Sequence, residues 1–147
     1  MIMNMSNALR PARISVVPFA SKMRDEEGIR LRISRYVEEL RQIPGYEFYL
    51  SSPDRERMLS SPDCAHQDSG MTLPLILSGG TEPEALEFLA CLDEPMLILA
   101  HPSDNALAAA FEIVALLNAD AHIARLVQAT PGWQGELSRL LRMFEAR

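Results

Sequence analysis

The sequence predicts an α/β protein built on a parallel five-stranded sheet with helices on both sides. Short apolar, β-branched runs alternate along the chain with longer segments of helical periodicity. Several of those runs are apolar at every position, which a strand needs only when both of its faces are covered. Glycine and proline punctuate the junctions, and no internal repeat or low-complexity segment interrupts the alternation.

The first strand is read at "ARISVVPFAS", Ala12 to Ser21. In the segment that follows, Ile29, Ile33, Tyr36, Val37, Leu40 and Ile43 recur at helical spacing. Asp25, Glu26 and Glu27 fall in its first turn, where the helix dipole favours carboxylates. Pro44-Gly45 closes it. "YEFYLSS" alternates as a second strand. The polar tract after it is expected to be a flexible loop over about residues 53–70, with at most one short helix near Arg55 to Leu59.

"TLPLILSGG" is the third strand and turn. Thr81 and Glu84 match a capping box, with Pro83 in the first turn of the next helix, which ends at Asp93-Glu94-Pro95. "PMLILAHP" is the fourth strand, and Ser103 or Asp104 is the expected N-cap of the helix that follows. "AHIARLVQAT" is the fifth strand. Pro131-Gly132 opens a last helix with Trp133, Leu137, Leu140, Leu141 and Phe144 on one face. Residues 1–11 are expected to be a disordered tail and residues 12–147 a single domain.

Right-handed crossovers leave few ways to wind such a sheet, and the expected one is doubly wound, flavodoxin-like or Rossmann-like, in strand order 2-1-3-4-5 with three layers. Its ligand crevice would lie at the carboxyl ends of strands one and three, where the winding reverses. Those ends carry Ser21 and Lys22 on one side and Ser78, Gly79, Gly80, Thr81 and Glu82 on the other. The glycines either grip a ligand or only permit positive φ and close packing. Thr81 reads first as a cap and Lys22 first as a solvated surface charge, with a ligand contact as the alternative for each.

"HPSDN", His101 to Asn105, ends strand four in the same geometry. His101 can act as an acid or base near neutral pH, or simply satisfy a loop carbonyl. Asn105 sits where it can point into the crevice.

The chain carries a formal net charge of −6, which offers no electrostatic support for nucleic acid or an anionic membrane surface. No run approaches the roughly 18 apolar residues of a membrane span. No signal-peptide pattern opens the sequence, and Cys64 and Cys91 sit in unrelated settings, so a cytoplasmic protein without a disulfide is expected. There is no G-x-G-x-x-G after strand one and no G-x-x-x-x-G-K-[ST], so dinucleotide and P-loop chemistry lose their physical basis. Carboxylates at the helix starts (Asp25, Glu26, Glu27, Glu82, Glu84, Asp104) already take the favourable potential and would repel a phosphate. A neutral, hydroxylated ligand such as a small sugar fits better. The Cys64-x-His66 pair is too sparse for a metal site, which needs three or four converging ligands.

Between Asn105 and Leu117 the only charge is Glu112. A helix on the face of a sheet ordinarily has a polar outer side, so this one is expected to be covered by a second copy or a further domain.

The stretch "LILSGGTEPEALEFL…EPMLILAHPSDNALAAAFEIVALLNADAHIARL" resembles the N-terminal domain of the L-fucose/L-arabinose isomerase family. A comparable "GGTE" turn there precedes a helix, an apolar strand and a histidine-proline turn leading into an alanine-rich helix. The resemblance spans roughly Ile14 to Val127. It implies a domain of an oligomeric, manganese-dependent aldose–ketose isomerase that borders a sugar site and packs against neighbours. Gly79, Gly80, Thr81 and Glu82 match the first turn, and His101, Pro102 and Asn105 the second. The metal-binding residues of that family lie in other domains, so no cofactor is expected in this chain, and manganese only in a larger assembly. Catalysis by the chain alone is not expected. The alternatives are an independent binding or regulatory module for a neutral polyol, and a small enzyme using His101 with Glu82 or Lys22.

Overall fold

A computed structural model of the chain describes residues 12–21, 25–51 and 71–145. The predicted tail (1–11), the predicted loop (53–70) with Cys64 and His66, and Lys22 lie outside the described residues. The elements are β1 (Ala12–Phe19), α1 (Glu26–Leu40), β2 (Tyr46–Leu50), β3 (Met71–Ile76), α2 (Glu82–Leu89), β4 (Met96–Ala100), α3 (Ala106–Ala119), β5 (Ala124–Gln128) and α4 (Trp133–Glu145). The strands form one all-parallel sheet in the order β2-β1-β3-β4-β5, as expected from the sequence. The architecture is flavodoxin-like.

Burial follows position in the sheet. Every residue of interior strand β4 is buried, whereas edge strands β2 and β5 mix buried, half-buried and exposed residues. The period of two divides the core. Ile14, Val16, Leu97 and Leu99 face α1 and α4, joining Tyr36, Leu40, Leu137 and Leu140. Val17, Phe19, Met96 and Ile98 point the other way, joining Phe88, Ala109, Ile113 and Leu117 of α2 and α3. The β3–β4 ladder covers only Leu75↔Leu99 and Ile76↔Ala100. It begins just past Pro74, which has no N–H to donate.

Asp25 caps α1, accepting from the Glu27 N–H at 3.2 Å. The expected capping box at α2 does not form. Thr81 has near-helical backbone angles (φ −103°, ψ −3°) and makes no side-chain cap bond. A capping side chain needs the extended conformation, and here the hydroxyl turns back to donate to the Ser78 carbonyl at 3.0 Å. The N-cap of α3 is likewise not Ser103 or Asp104 but Asn105, in the left-handed region at φ 60° with no side-chain cap bond. Asp104 is left-handed too (φ 58°), and its carboxylate accepts from Arg32 of α1 at 2.8 Å.

Candidate functional site: two clefts at the carboxyl edge of the sheet

The strand ladders run past the strand ends and set the turns side by side. Leu77 N–H donates to Phe19 O at 2.9 Å, His101 N–H to Ile76 O at 2.9 Å, and Ala129 N–H to Ala100 O at 2.8 Å. Across the point where winding reverses, Ser78 Oγ accepts from the Ser21 N–H at 2.7 Å. The next turn is joined by Gly79 N–H donating to Asp104 O at 2.8 Å. Gly79 has to be glycine for close approach, since a β-carbon there would lie 2.9 Å from Asn105 Cβ. Gly80 sits at φ 79°, a left-handed backbone angle that favours glycine.

These turns and α3 enclose a crevice of about 280 Å³ lined by Ser21, Gly79, Gly80, Glu82, Asn105, Ala108, Ala109 and Glu112. Five of the residues singled out in the sequence therefore meet in one place. Ser78 and Thr81 lie behind it, 2% and 1% exposed, as the polar scaffold of the turn. Ala108, Ala109 and Glu112 were not anticipated. Their signal was present, because they follow Asn105 by three, four and seven residues, the stripe that one helix face presents.

His101 goes elsewhere. It opens with Arg32, Arg35 and Tyr36 of α1 and Trp133 of α4 onto a cleft of about 560 Å³. Glu82 lines the first crevice and not this one, so the sequence-level pairing of His101 with Glu82 in one active site has no geometric support. The imidazole does not satisfy a loop carbonyl. Its Nδ1 shares a 2.6 Å hydrogen bond with the Tyr36 hydroxyl, and its Nε2 a 2.8 Å bond with Ser103 Oγ. Burial first, then the Arg32 guanidinium, push the imidazole pKa down against the opposing pull of Asp104. Burial first, then Glu39, hold the Tyr36 phenol up at about 12. With no carboxylate on either ring nitrogen to stabilise an imidazolium, Ser103–His101–Tyr36 lacks the charge that a nucleophilic triad uses. Arg32, Tyr36 and Trp133 had read only as helix and core positions. The Arg32–Asp104 and Tyr36–His101 contacts span 72 and 65 residues, and no local pattern encodes them.

Among the described residues no three His, Cys, Asp or Glu side chains converge as a metal site requires. The manganese implied by the isomerase resemblance has no fitting ligand set among them. No helix of the described residues is long and apolar enough to cross a membrane.

Fold and site together define a flavodoxin-like α/β domain with a glycine-turn crevice at its switch point. Comparison with known proteins finds no family model, no curated protein and no solved structure that matches the chain.

Proposed function

We propose that this domain binds a small neutral polyol, such as a free sugar, in the switch-point crevice. The lining chemistry carries this reading. Glu82 and Glu112 present carboxylates, Ser21 and Asn105 add short polar side chains, and no basic side chain occurs among the described lining residues. Ionised carboxylates form their strongest hydrogen bonds with O–H and N–H donors, which a polyol supplies and a phosphate does not. At about 280 Å³ the crevice is near the lower end of small-molecule sites, roughly 300 Å³, and suits a single sugar unit.

The chain acts in this reading as the sugar-bordering domain of an isomerase-like assembly, with catalysis supplied by residues outside it. The outer side of α3 supports that extension. Phe111 is 54% exposed and Leu116 47% on the same helix that lines the crevice through Ala108, Ala109 and Glu112. A second copy packed there would cover the apolar side chains and flank the sugar. A stand-alone polyol-binding module shares the same crevice and differs in remaining monomeric.

The test is thermal unfolding against free sugars, sugar alcohols, sugar phosphates and nucleotides, each with and without Mn²⁺. A ligand at a hundred times its dissociation constant adds about 2.7 kcal/mol of stability. Free sugars are expected to raise the midpoint and their phosphates are not, with Glu82→Gln abolishing the shift. Stabilisation by phosphates alone, or by nothing in the panel, defeats the proposal.

A further inference from the structure

We propose that the cleft between α1 and α4 is a second ligand site, taking a small molecule with a flat apolar body and one anionic group, in the simplest case an aromatic carboxylate. This site is independent of the polyol crevice and shares no lining residue with it.

The apolar half of the argument lies in the walls. Tyr36 and Trp133 meet edge to face, centroids 6.0 Å apart at 61°, so the two rings are held in fixed orientation. Tyr36 packs the same way on His101 at 5.8 Å and 87°. Leu31, on the cleft wall, is 68% exposed. At about 560 Å³ the space is well within the range that holds drug-sized ligands, and a flat ring against these walls would remove Leu31 from water.

The charge half lies along α1. Arg35 makes no ion pair among the described residues, and Arg32 uses only Nη1 to hold Asp104, from a group with five donors. Glu39 is the cleft's carboxylate, about 10 Å beyond Arg32 along the helix axis and one turn, about 6 Å, beyond Arg35. Because α1 runs opposite to the strands, Arg32 in its middle lies nearer the carboxyl edge of the sheet than Arg35 does, while Asp25, Glu26 and Glu27 hold the turn at that edge. There Trp133 and Gln134 begin α4 and add the positive end of a helix dipole. An anionic group would be held by Arg35 and the remaining donors of Arg32, with its apolar body along Leu31 between the helices.

Trp133 is the only tryptophan of the chain, so its indole N–H gives a single, assigned magnetic resonance signal inside the cleft. Titration of the full chain with benzoate, benzyl alcohol and inorganic phosphate separates ring from charge. Benzoate is expected to shift the signal saturably, with the alcohol and the phosphate each roughly tenfold weaker or more. Arg35→Ala is expected to bring benzoate down to the level of the alcohol with no change in the unfolding midpoint. An unsaturable benzoate response, an alcohol that binds as tightly, or an Arg35→Ala protein that binds benzoate unchanged overturns the proposal. Phosphate binding as tightly as benzoate overturns it too, leaving a plain anion site.

Discussion

Gly79 and Asn105 approach so closely that a β-carbon on Gly79 would lie 2.9 Å from the β-carbon of Asn105 and 3.3 Å from its carbonyl oxygen. The contact joins the turn after β3 to the start of α3, and both residues line the crevice. Gly79→Ala is therefore expected to cost about 1–3 kcal/mol, the range for overpacking a filled site, as read by urea unfolding. Asn105→Gly on its own removes a left-handed non-glycine residue and is expected to stabilise by up to about 1 kcal/mol. Combined, the two changes should cost less than their separate effects predict, because the second removes the atom that the first strikes. Strict additivity would show that the two turns can move apart.

Ser78 ties the two strand ends of the switch point together through its bond from the Ser21 N–H. Ser78→Ala takes away a buried acceptor and is expected to cost about 1–3 kcal/mol. It should also weaken binding of any stabilising sugar, since Ser21 lines the crevice. A variant with unchanged stability and unchanged sugar response would show that the serine bridge does not shape the site.

His101 sets a pH dependence. Its folded pKa lies below the ordinary 6.5, so on acidification the unfolded chain takes up a proton before the folded one does. The contribution of His101 is complete above pH 6.5 and falls away as pH drops toward the lowered folded value. The groups acting on the ring are Arg32, Asp104, Tyr36 and Ser103. Unfolding midpoints measured from about pH 7.5 down to about pH 5.5 should show the loss, and His101→Asn should flatten it. An unchanged slope in that variant would assign the titration to another group.

Glu94 has the opposite sign. Burial raises its carboxyl pKa although Thr72 Oγ1 donates to it at 2.7 Å. The folded state binds the proton more tightly, so this contribution is present below pH 4.5 and lost as pH rises through the raised value. Glu94→Gln keeps an acceptor for Thr72 and removes a partly buried charge. It should stabilise the protein at neutral pH and have little effect in acid, a comparison that calorimetry at two pH values makes directly.

The apolar outer side of α3 makes an assembly prediction. A self-complementary two-fold contact centred on Phe111 would give a dimer, and Phe111→Lys should leave a monomer with the same circular dichroism. Light scattering decides it, and a wild-type chain that stays monomeric at every concentration would leave only the stand-alone binding module.

Local pattern was enough to determine the architecture. Apolar runs such as Met96–Ala100, short and bounded by proline and turn residues, read as strands covered on both faces, and parallel strands joined by right-handed helical crossovers admit the order that the chain adopts. The same logic located the crevice, because the switch point follows from the winding and Gly79, Gly80 and Glu82 lie beside it in sequence. Tertiary structure decided what each turn faces. His101 and Asn105 are four residues apart, yet they line different clefts, since two left-handed residues, Asp104 and Asn105, swing the chain between them. Tyr36, a distant partner of His101, and Arg32, a distant partner of Asp104, sit on a helix that the sheet brings near only after it closes. Periodicity records which side of an element is buried, but it carries no information on which distant side chain the buried face will meet.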